Sequence, residues 1–303
     1  MNTERTYTSA QKRYVKYCNI HGLDPFAANE QTLLWYIAYL YNDGVKNSRS
    51  ISVYLSAVRA LYVDRGMPAP PHRSPRIILA LRGVDRSSPP PLQKMPITYD
   101  VLLRMSCLVP NQYQDQMMWS AMLVAFFGCL RADEITINLA LPEPDKIVKV
   151  QDVKWYSSPE VNYLSLTLKR TKTLLHGIQV VIGCSGTKVC AYCSLKQYLQ
   201  LRYALNVAPY NPALFVDKCG MVLSRQQFNA HTKHMVQIMG LDPGQYSGHS
   251  YRSGAATTAG GKNFKDWETK LLGHWKSDAY KLYIRQDDVH LASFAARLAS
   301  NSK

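Results

Sequence analysis

The sequence predicts a mainly helical protein with a small antiparallel β-sheet, an α+β chain in two domains. Three observations predict it. Apolar residues recur with helical spacing through the first ninety positions, a proline run interrupts the chain at 89–91, and strand-like alternation is confined to about 147–182. The 303 residues suffice for two ordinary domains with filled cores.

Taken in order, Asn29 is placed to cap a helix carrying Leu33, Leu34, Ile37, Ala38 and Leu40, stopped by Gly44. A second helix is expected from about Ser48 to Arg65, with Ile51, Leu55, Val58, Leu61 and Tyr62 on one face and Gly66 past its end. Ser74-Pro75 gives a third its cap and a proline at the first helical position, with Ile77, Ile78, Leu81 and Val84 as the apolar side. Ser87-Ser88-Pro89-Pro90-Pro91 cannot continue a helix and favours extended backbone. It sets the expected boundary: a helical domain over 1–88, a linker over 89–97 and a second domain over 98–303.

In the second domain, helices are expected near 98–108 and 113–130. Val148, Val150, Val153 and Trp155 read as one strand, and Val161, Tyr163, Leu164, Leu166 and Leu168 as another, with Ser157-Ser158-Pro159-Glu160 turning between them. Ile178 to Ile182 makes a third. A helix resumes near Cys190, Ser224 with Gln227 forms a capping box opening another, and a last amphipathic helix spans about 287–299 with Val289, Leu291, Phe294 and Leu298. That last helix suits packing on its own domain as well as docking elsewhere.

Lysine and arginine number 36 against 21 acidic residues, for a net charge of +15. Such an excess does not set a fold but favours a polyanionic partner. The longest apolar run, Ala121–Leu130, is far short of the roughly 20 residues a membrane-spanning helix needs. The first residues lack the apolar core of a secretory signal. No membrane partner is expected, and the protein is expected in the nucleus of a eukaryote, or in the cytoplasm or nucleoid of a bacterium or phage. The seven cysteines, an odd number, read as reduced thiols. Cys190-Ala191-Tyr192-Cys193 is a C-x-x-C with Cys184 and His176 nearby, a combination that can hold zinc. A lone C-x-x-C before a helix more often packs in a core, so Cys193 is read as a core residue and no metal or cofactor is expected.

Phosphodiester cleavage requires a nucleophile, cations around the phosphoryl oxygens and an acid for the leaving oxygen. The 21 acidic residues form no cluster beyond adjacent pairs such as Asp287-Asp288, which disfavours a metal-dependent nuclease. Arginines can supply the cations, because the guanidinium fork matches two phosphate oxygens. Two candidates stand out: Arg131 in Cys129-Leu130-Arg131-Ala132-Asp133-Glu134, and Arg252 in His249-Ser250-Tyr251-Arg252. Downstream comes Leu272-Gly273-His274, and nine residues after His274 comes Tyr283. Each feature alone is ordinary: an arginine after an apolar helix, a polar helix face, a histidine in a core, one of 20 tyrosines.

In this order and spacing the motifs resemble those of the tyrosine recombinases, the phage integrase family. The resemblance covers nearly the whole chain. Tyr54-Leu55-Ser56-Ala57-Val58-Arg59 and Leu79-Ala80-Leu81-Arg82-Gly83 are further similar to recombinases of eukaryotic mobile elements of the DIRS and Crypton kind. The resemblance implies a helical core-binding domain over 1–88 and a catalytic domain over 98–303. It implies Tyr283 as nucleophile, with Tyr280 the competitor, and Arg131 and Arg252 neutralising the non-bridging oxygens. His249 would assist proton transfer, His274 would bond a phosphate oxygen and Glu134 would orient the site. A hairpin lysine, Lys172 or alternatively Lys169 in Leu168-Lys169-Arg170-Thr171-Lys172-Thr173, would protonate the leaving 5′ oxygen. The implied activity is site-specific DNA recombination or integration through a 3′-phosphotyrosine bond, without metal or small-molecule substrate, by tetramers on two double-stranded DNA sites. The DNA contacts expected in the first domain are Lys12, Arg13, Lys46, Arg49 and Arg59. Two other readings remain open: a domesticated fold that binds DNA without cutting it, and a type IB topoisomerase-like enzyme.

Overall fold

In the computed structural model, which describes residues 2–89, 93–140, 143–169, 177–275 and 277–284, the chain divides between Met1–Leu92 and Gln93–Lys303. None of the described helices is long and apolar enough to cross a membrane.

The first unit is four helices: α1 (Asn2–Ile20), α2 (Glu30–Asn42), α3 (Ser48–Val63) and α4 (Pro75–Ser87). Their starts are where short polar side chains replace the missing backbone acceptors. Asn29 accepts from the Thr32 N–H, Asn47 from that of Ser50 and Ser74 from that of Ile77. The predicted face of α3 is buried throughout. In α4 only Ile77 and Val84 are buried, and Ile78 is exposed, so the apolar stripe is narrower than its periodicity suggests. Ala38 of α2 likewise faces outward, while Tyr36 is buried with Leu33, Ile37 and Leu40. That core is rich in tyrosine. Tyr14 and Tyr17 of α1 pack on Tyr36 with ring centroids 5.1 and 5.0 Å apart. The Tyr62 hydroxyl donates to the Pro25 carbonyl (2.9 Å) and accepts from the Ala28 N–H (2.8 Å), which lets a polar tip be buried.

The second unit is built around α6 (Tyr113–Phe127), which is buried on all sides from Gln116 to Phe126. It follows α5 (Tyr99–Ser106) and leads into the short α7 (Ala132–Ile135). A three-stranded antiparallel sheet comes next, ordered β1 (Val153–Tyr156), β2 (Tyr163–Leu168), β3 (Ile178–Gly183). Val153 pairs with Leu166, and Leu168 with Ile178. The first strand is shorter than its alternation predicts. A bridge at Lys149 and a tight turn at Val150–Asp152 precede it, because the Asp152 carboxylate reaches back to the Lys149 N–H and curls the chain. The remaining helices are α8 (Ala191–Ala204), α9 (Arg225–Ile238), α10 (Ser250–Gly261) and α11 (Asp266–Gly273). The capping box at Ser224 and Gln227 forms with both bonds. Residues 93–97, the described end of the expected linker, run extended along this unit. Met95 and Ile97 donate to the Gln245 and Ser250 carbonyls. Pro90 and Pro91, and the expected helix at 287–299, lie outside the described residues.

The Ile97 segment lies against α10 at Gly254, where an added Cβ would fall 1.8 Å from the Ile97 carbonyl oxygen. Neither backbone can yield cheaply. Gly254→Ala is expected to lower stability by about 3 kcal/mol, at the upper end for overpacking. A urea unfolding midpoint equal to that of the unchanged chain would contradict this packing.

Candidate active site

Arg252 stands on the first turns of α10 and is 4% exposed. Its Nη1 donates to the Cys129 carbonyl and its Nη2 to the Gly273 carbonyl at 2.9 Å. The guanidinium carbon lies 4.4 Å from the centroid of the Trp275 ring. One side chain thus ties together the loop before α7, the start of α10 and the end of α11. Local sequence makes each partner available. Cys129 adopts a left-handed φ of 49°, a region that glycine favours. His274 ends α11 at φ 52°, also left-handed. Gly273 has no room for a side chain, since a Cβ there would meet the Trp275 ring at 1.7 Å.

Arg131 is three-quarters buried and held by Glu134, which accepts from its Nη1 at 3.0 Å and from its backbone N–H at 2.8 Å. Glu134 is itself buried, so the orienting carboxylate is fixed in turn. His249 caps α10. The loop before it is set by the Gly248 N–H donating to Asn229 Oδ1 (2.7 Å) and the Ser247 N–H donating to Ser250 Oγ (3.0 Å).

Tyr283 follows a single 3-10 turn, Asp278–Leu282. Its ring is half-buried, 5.1 Å from the His249 ring and 6.0 Å from Trp275, measured between centroids. Thr257 of α10 donates to its carbonyl at 3.0 Å. Tyr280 is 1% exposed and packs on Trp275 at 5.9 Å. Of the two tyrosines, Tyr283 is the one against His249.

The electrostatics are one-sided. Burial lowers the pKa of Arg252, and the nearby Arg131 adds to the effect. Although His249 keeps an edge toward solvent, burial of the rest of its ring lowers its pKa below the usual value, and Arg252, Arg131 and Arg225 push the same way. His274 is lowered by burial and then by Arg252. Two buried nitrogens have no hydrogen-bond partner among the described residues: Arg252 Nε and His274 Nε2. A pocket with surplus positive charge and unmatched donors suits an anion.

The remaining expected residues divide. Lys172 lies outside the described residues. Lys169, at the end of β2, sits 3.6 Å from the buried Asp152 carboxylate. Gly177 closes the described base of that hairpin at φ 71°, its Cα so near the Leu168 carbonyl that a Cβ would meet it at 2.7 Å. In the first unit Lys12, Lys46, Arg49 and Arg59 are exposed, with the Lys46 ammonium 3.6 Å from the Tyr41 ring centroid. Arg13 differs: it pairs with Asp43 and donates to the Tyr54 hydroxyl at 3.1 Å, joining α1 to α2 and α3. Cys193 is not a core residue but exposed, beside Cys184 and Cys190. His176 lies outside the described residues. Sequence reasoning missed Trp275, Thr257, Asn229 and Arg225. Trp275 had a signal, as the residue directly after Leu272-Gly273-His274. The other three act from elements whose proximity only the fold creates.

No protein-family model matches the sequence. An integrase/recombinase XerD homolog from Selenomonas ruminantium is 22% identical over 264 residues, covering 85% of this chain and 73% of that protein. Three solved structures share the fold. The XerH site-specific recombinase bound to its difH substrate has a TM-score of 0.62 at 14% identity, over 90% of this chain and 73% of its own. A λ integrase dimer bound to a core site has a TM-score of 0.59 at 14% identity, over 100% and 92%. The Tn1549 transposon integrase, with circular-intermediate DNA, has a TM-score of 0.58 at 13% identity, over 96% and 99%. The chain therefore has the tyrosine recombinase fold, mainly α with a small antiparallel sheet. The family resemblance read from its motifs is borne out.

The lowered histidine pKa values have a definite sign. Both imidazoles are neutral in the folded protein at pH 7. Below about 6.5 the unfolded chain takes up protons that the folded one resists, so acidification weakens the fold. Ring resonances of His249 and His274, followed by NMR, are expected to titrate with midpoints below about 6.5. A midpoint above that value for either would contradict the arrangement.

Proposed function

We propose that the protein is a site-specific DNA recombinase that breaks and rejoins strands through Tyr283. The observation that carries this reading is the juxtaposition of a half-buried Tyr283 with His249, beside a buried arginine that keeps one donor unmatched. The solved relatives described above, in complex with DNA, support DNA as the substrate.

A scissile phosphate would take the place of the missing acceptor at Arg252 and His274, with Arg131 on its other non-bridging oxygen. Free tyrosine has a pKa of about 10, so at neutral pH the phenol must lose its proton as it attacks. Neutral His249 is the adjacent group able to accept it. The phenolic oxygen bonds to phosphorus and the bond to the 5′ oxygen breaks. That oxygen takes a proton from Lys172, or from Lys169 if Asp152 releases it. Charge developing on the phosphoryl oxygens is met by guanidinium groups already in place, which is where the largest acceleration arises. The phosphotyrosine bond conserves the energy of the original one, so reversal with a new 5′ hydroxyl rejoins the strand without ATP. Exchange between two DNA sites would require tetramers.

Incubation with nicked suicide DNA is expected to give a denaturation-resistant adduct that disappears in Tyr283→Phe and persists in Tyr280→Phe. Retention of the adduct in Tyr283→Phe would exclude this nucleophile. A folded protein that binds but never forms an adduct would indicate a DNA-binding module, and supercoil relaxation without strand exchange a topoisomerase.

The first unit is proposed to hold the duplex through phosphates, using Lys12, Lys46, Arg49 and Arg59. Removing one phosphate-binding cation should reduce the slope of log K against log salt by about 0.9. The double variant Arg49→Ala/Arg59→Ala is therefore expected to flatten it by roughly 2, measured by fluorescence anisotropy. An unchanged slope would remove both residues from the interface. Arg13, already engaged by Asp43, is expected to contribute to helix packing instead.

A further inference from the structure

We propose that Cys184, Cys190 and Cys193 bind a zinc ion that staples the end of β3 to the start of α8. The three sulfur atoms lie within 4.8 Å of one another, far closer than their spacing in sequence requires. Cys184 Sγ is 3.5 Å from Cys193 Sγ and 3.8 Å from Cys190 Sγ. Zinc bonds thiolate sulfur at about 2.3 Å, and a tetrahedron of that size has sulfur–sulfur edges of about 3.8 Å. The two edges that meet at Cys184 therefore already have the length found in a zinc site. They are well beyond the roughly 2.05 Å of a disulfide, which would also leave one of the three unpaired.

The backbone prepares the cluster for negative charge. The Ser185 N–H and the Cys193 N–H point at Cys190 Sγ, at 3.4 and 3.5 Å. Cys190 is the cap of the 14-residue α8 and Cys193 lies in its first turn, where the helix dipole favours anions. Ligands must be thiolates to bind the metal, and these features lower the cost of making them so. Soft sulfur donors select zinc over the hard cations magnesium and calcium. Cys190 is buried, while Cys193 is exposed and Cys184 partly so. The cluster is thus open to solvent on the side of Cys193.

The placement gives the ion a structural task. The strand β3 pairs with β2, whose end carries Lys169 and leads into the segment containing Lys172. Its other end has Cys184 as its next residue. Fixing that residue to α8, which packs on the central α6 through the Ser120–Ser194 hydroxyl pair (2.8 Å), would hold the lysine-bearing hairpin against the core. The ion is assigned this structural task and no step of the proposed chemistry.

The test is metal content of the full chain purified under reducing conditions, incubated with zinc chloride and desalted. About one zinc per chain is expected by mass spectrometry of the metal, and substitution by cobalt should give the charge-transfer absorption of cobalt thiolates. Cys184→Ser and Cys193→Ser, both on the accessible side, should each reduce zinc retained against a chelator by at least tenfold. Cys107→Ser and Cys219→Ser should leave it unchanged. Circular dichroism of each variant separates loss of metal from loss of fold. Folded unsubstituted protein with less than a tenth of an equivalent of zinc would overturn the proposal. So would full retention in the Cys184→Ser/Cys193→Ser double variant, or a Cys184–Cys193 disulfide in the reduced preparation.

Discussion

The candidate site in the second unit is organised around the burial of one charge, the guanidinium of Arg252. Taking an ion out of water costs several kcal/mol unless its donors are matched and its charge is answered. Here the answer is incomplete. Two nitrogens find carbonyls, the face finds Trp275, and Nε finds no partner among the described residues. The same unit contains a contrasting case. Arg202 of α8 is equally buried, but all three of its guanidine nitrogens donate to carbonyls of the segment 207–214. Arg202 is a closed structural pin. Arg252 is a pin with one buried nitrogen left unpaired among the described residues.

Several local oddities follow from that constraint. Cys129 and His274 accept left-handed backbone, a cost of roughly 1–2 kcal/mol each, at the segments that supply the carbonyls and ring around the guanidinium. Gly273 stays bare so that Trp275 can fold over it. The accumulated positive charge then acts on its neighbours. It adds to burial, the larger cause, in lowering the pKa of His249 and His274, and neutral imidazole can accept a proton whereas imidazolium cannot.

Much of this was legible in the sequence, for identifiable reasons. Helix starts are local events: Asn29 and Ser74 in the first unit and Ser224 in the second cap their own next turn, and no distant residue is needed to read them. The site motifs were legible because each is a contiguous stretch with its own backbone shape. What escaped was whatever depends on a partner far along the chain. Ile78 has the spacing of a core residue but no element covers it. Arg13 looks like one more surface cation, and its ion pair with Asp43 exists only once α1 lies beside α2 and α3. The C-x-x-C read as an ordinary core motif, because the proximity of Cys184 is created by the turn between β3 and α8, which spacing alone does not reveal.

The choice between two tyrosines shows how local and distant constraints combine. In a 3-10 turn, side chains three residues apart eclipse one another. Tyr280 and Tyr283 stand in that relation around Asp278–Leu282, so both rings meet the same surface, and that surface is Trp275. Helical face cannot separate them, since they share one. Depth does. Tyr280 is driven into the core and gives the short turn a fixed footing that a single turn would lack by itself. One turn on, Tyr283 is left at the rim, with its carbonyl held by Thr257 and its ring against His249. The buried tyrosine positions the accessible one, and Trp275 links both to the same guanidinium on which the rest of the pocket is built.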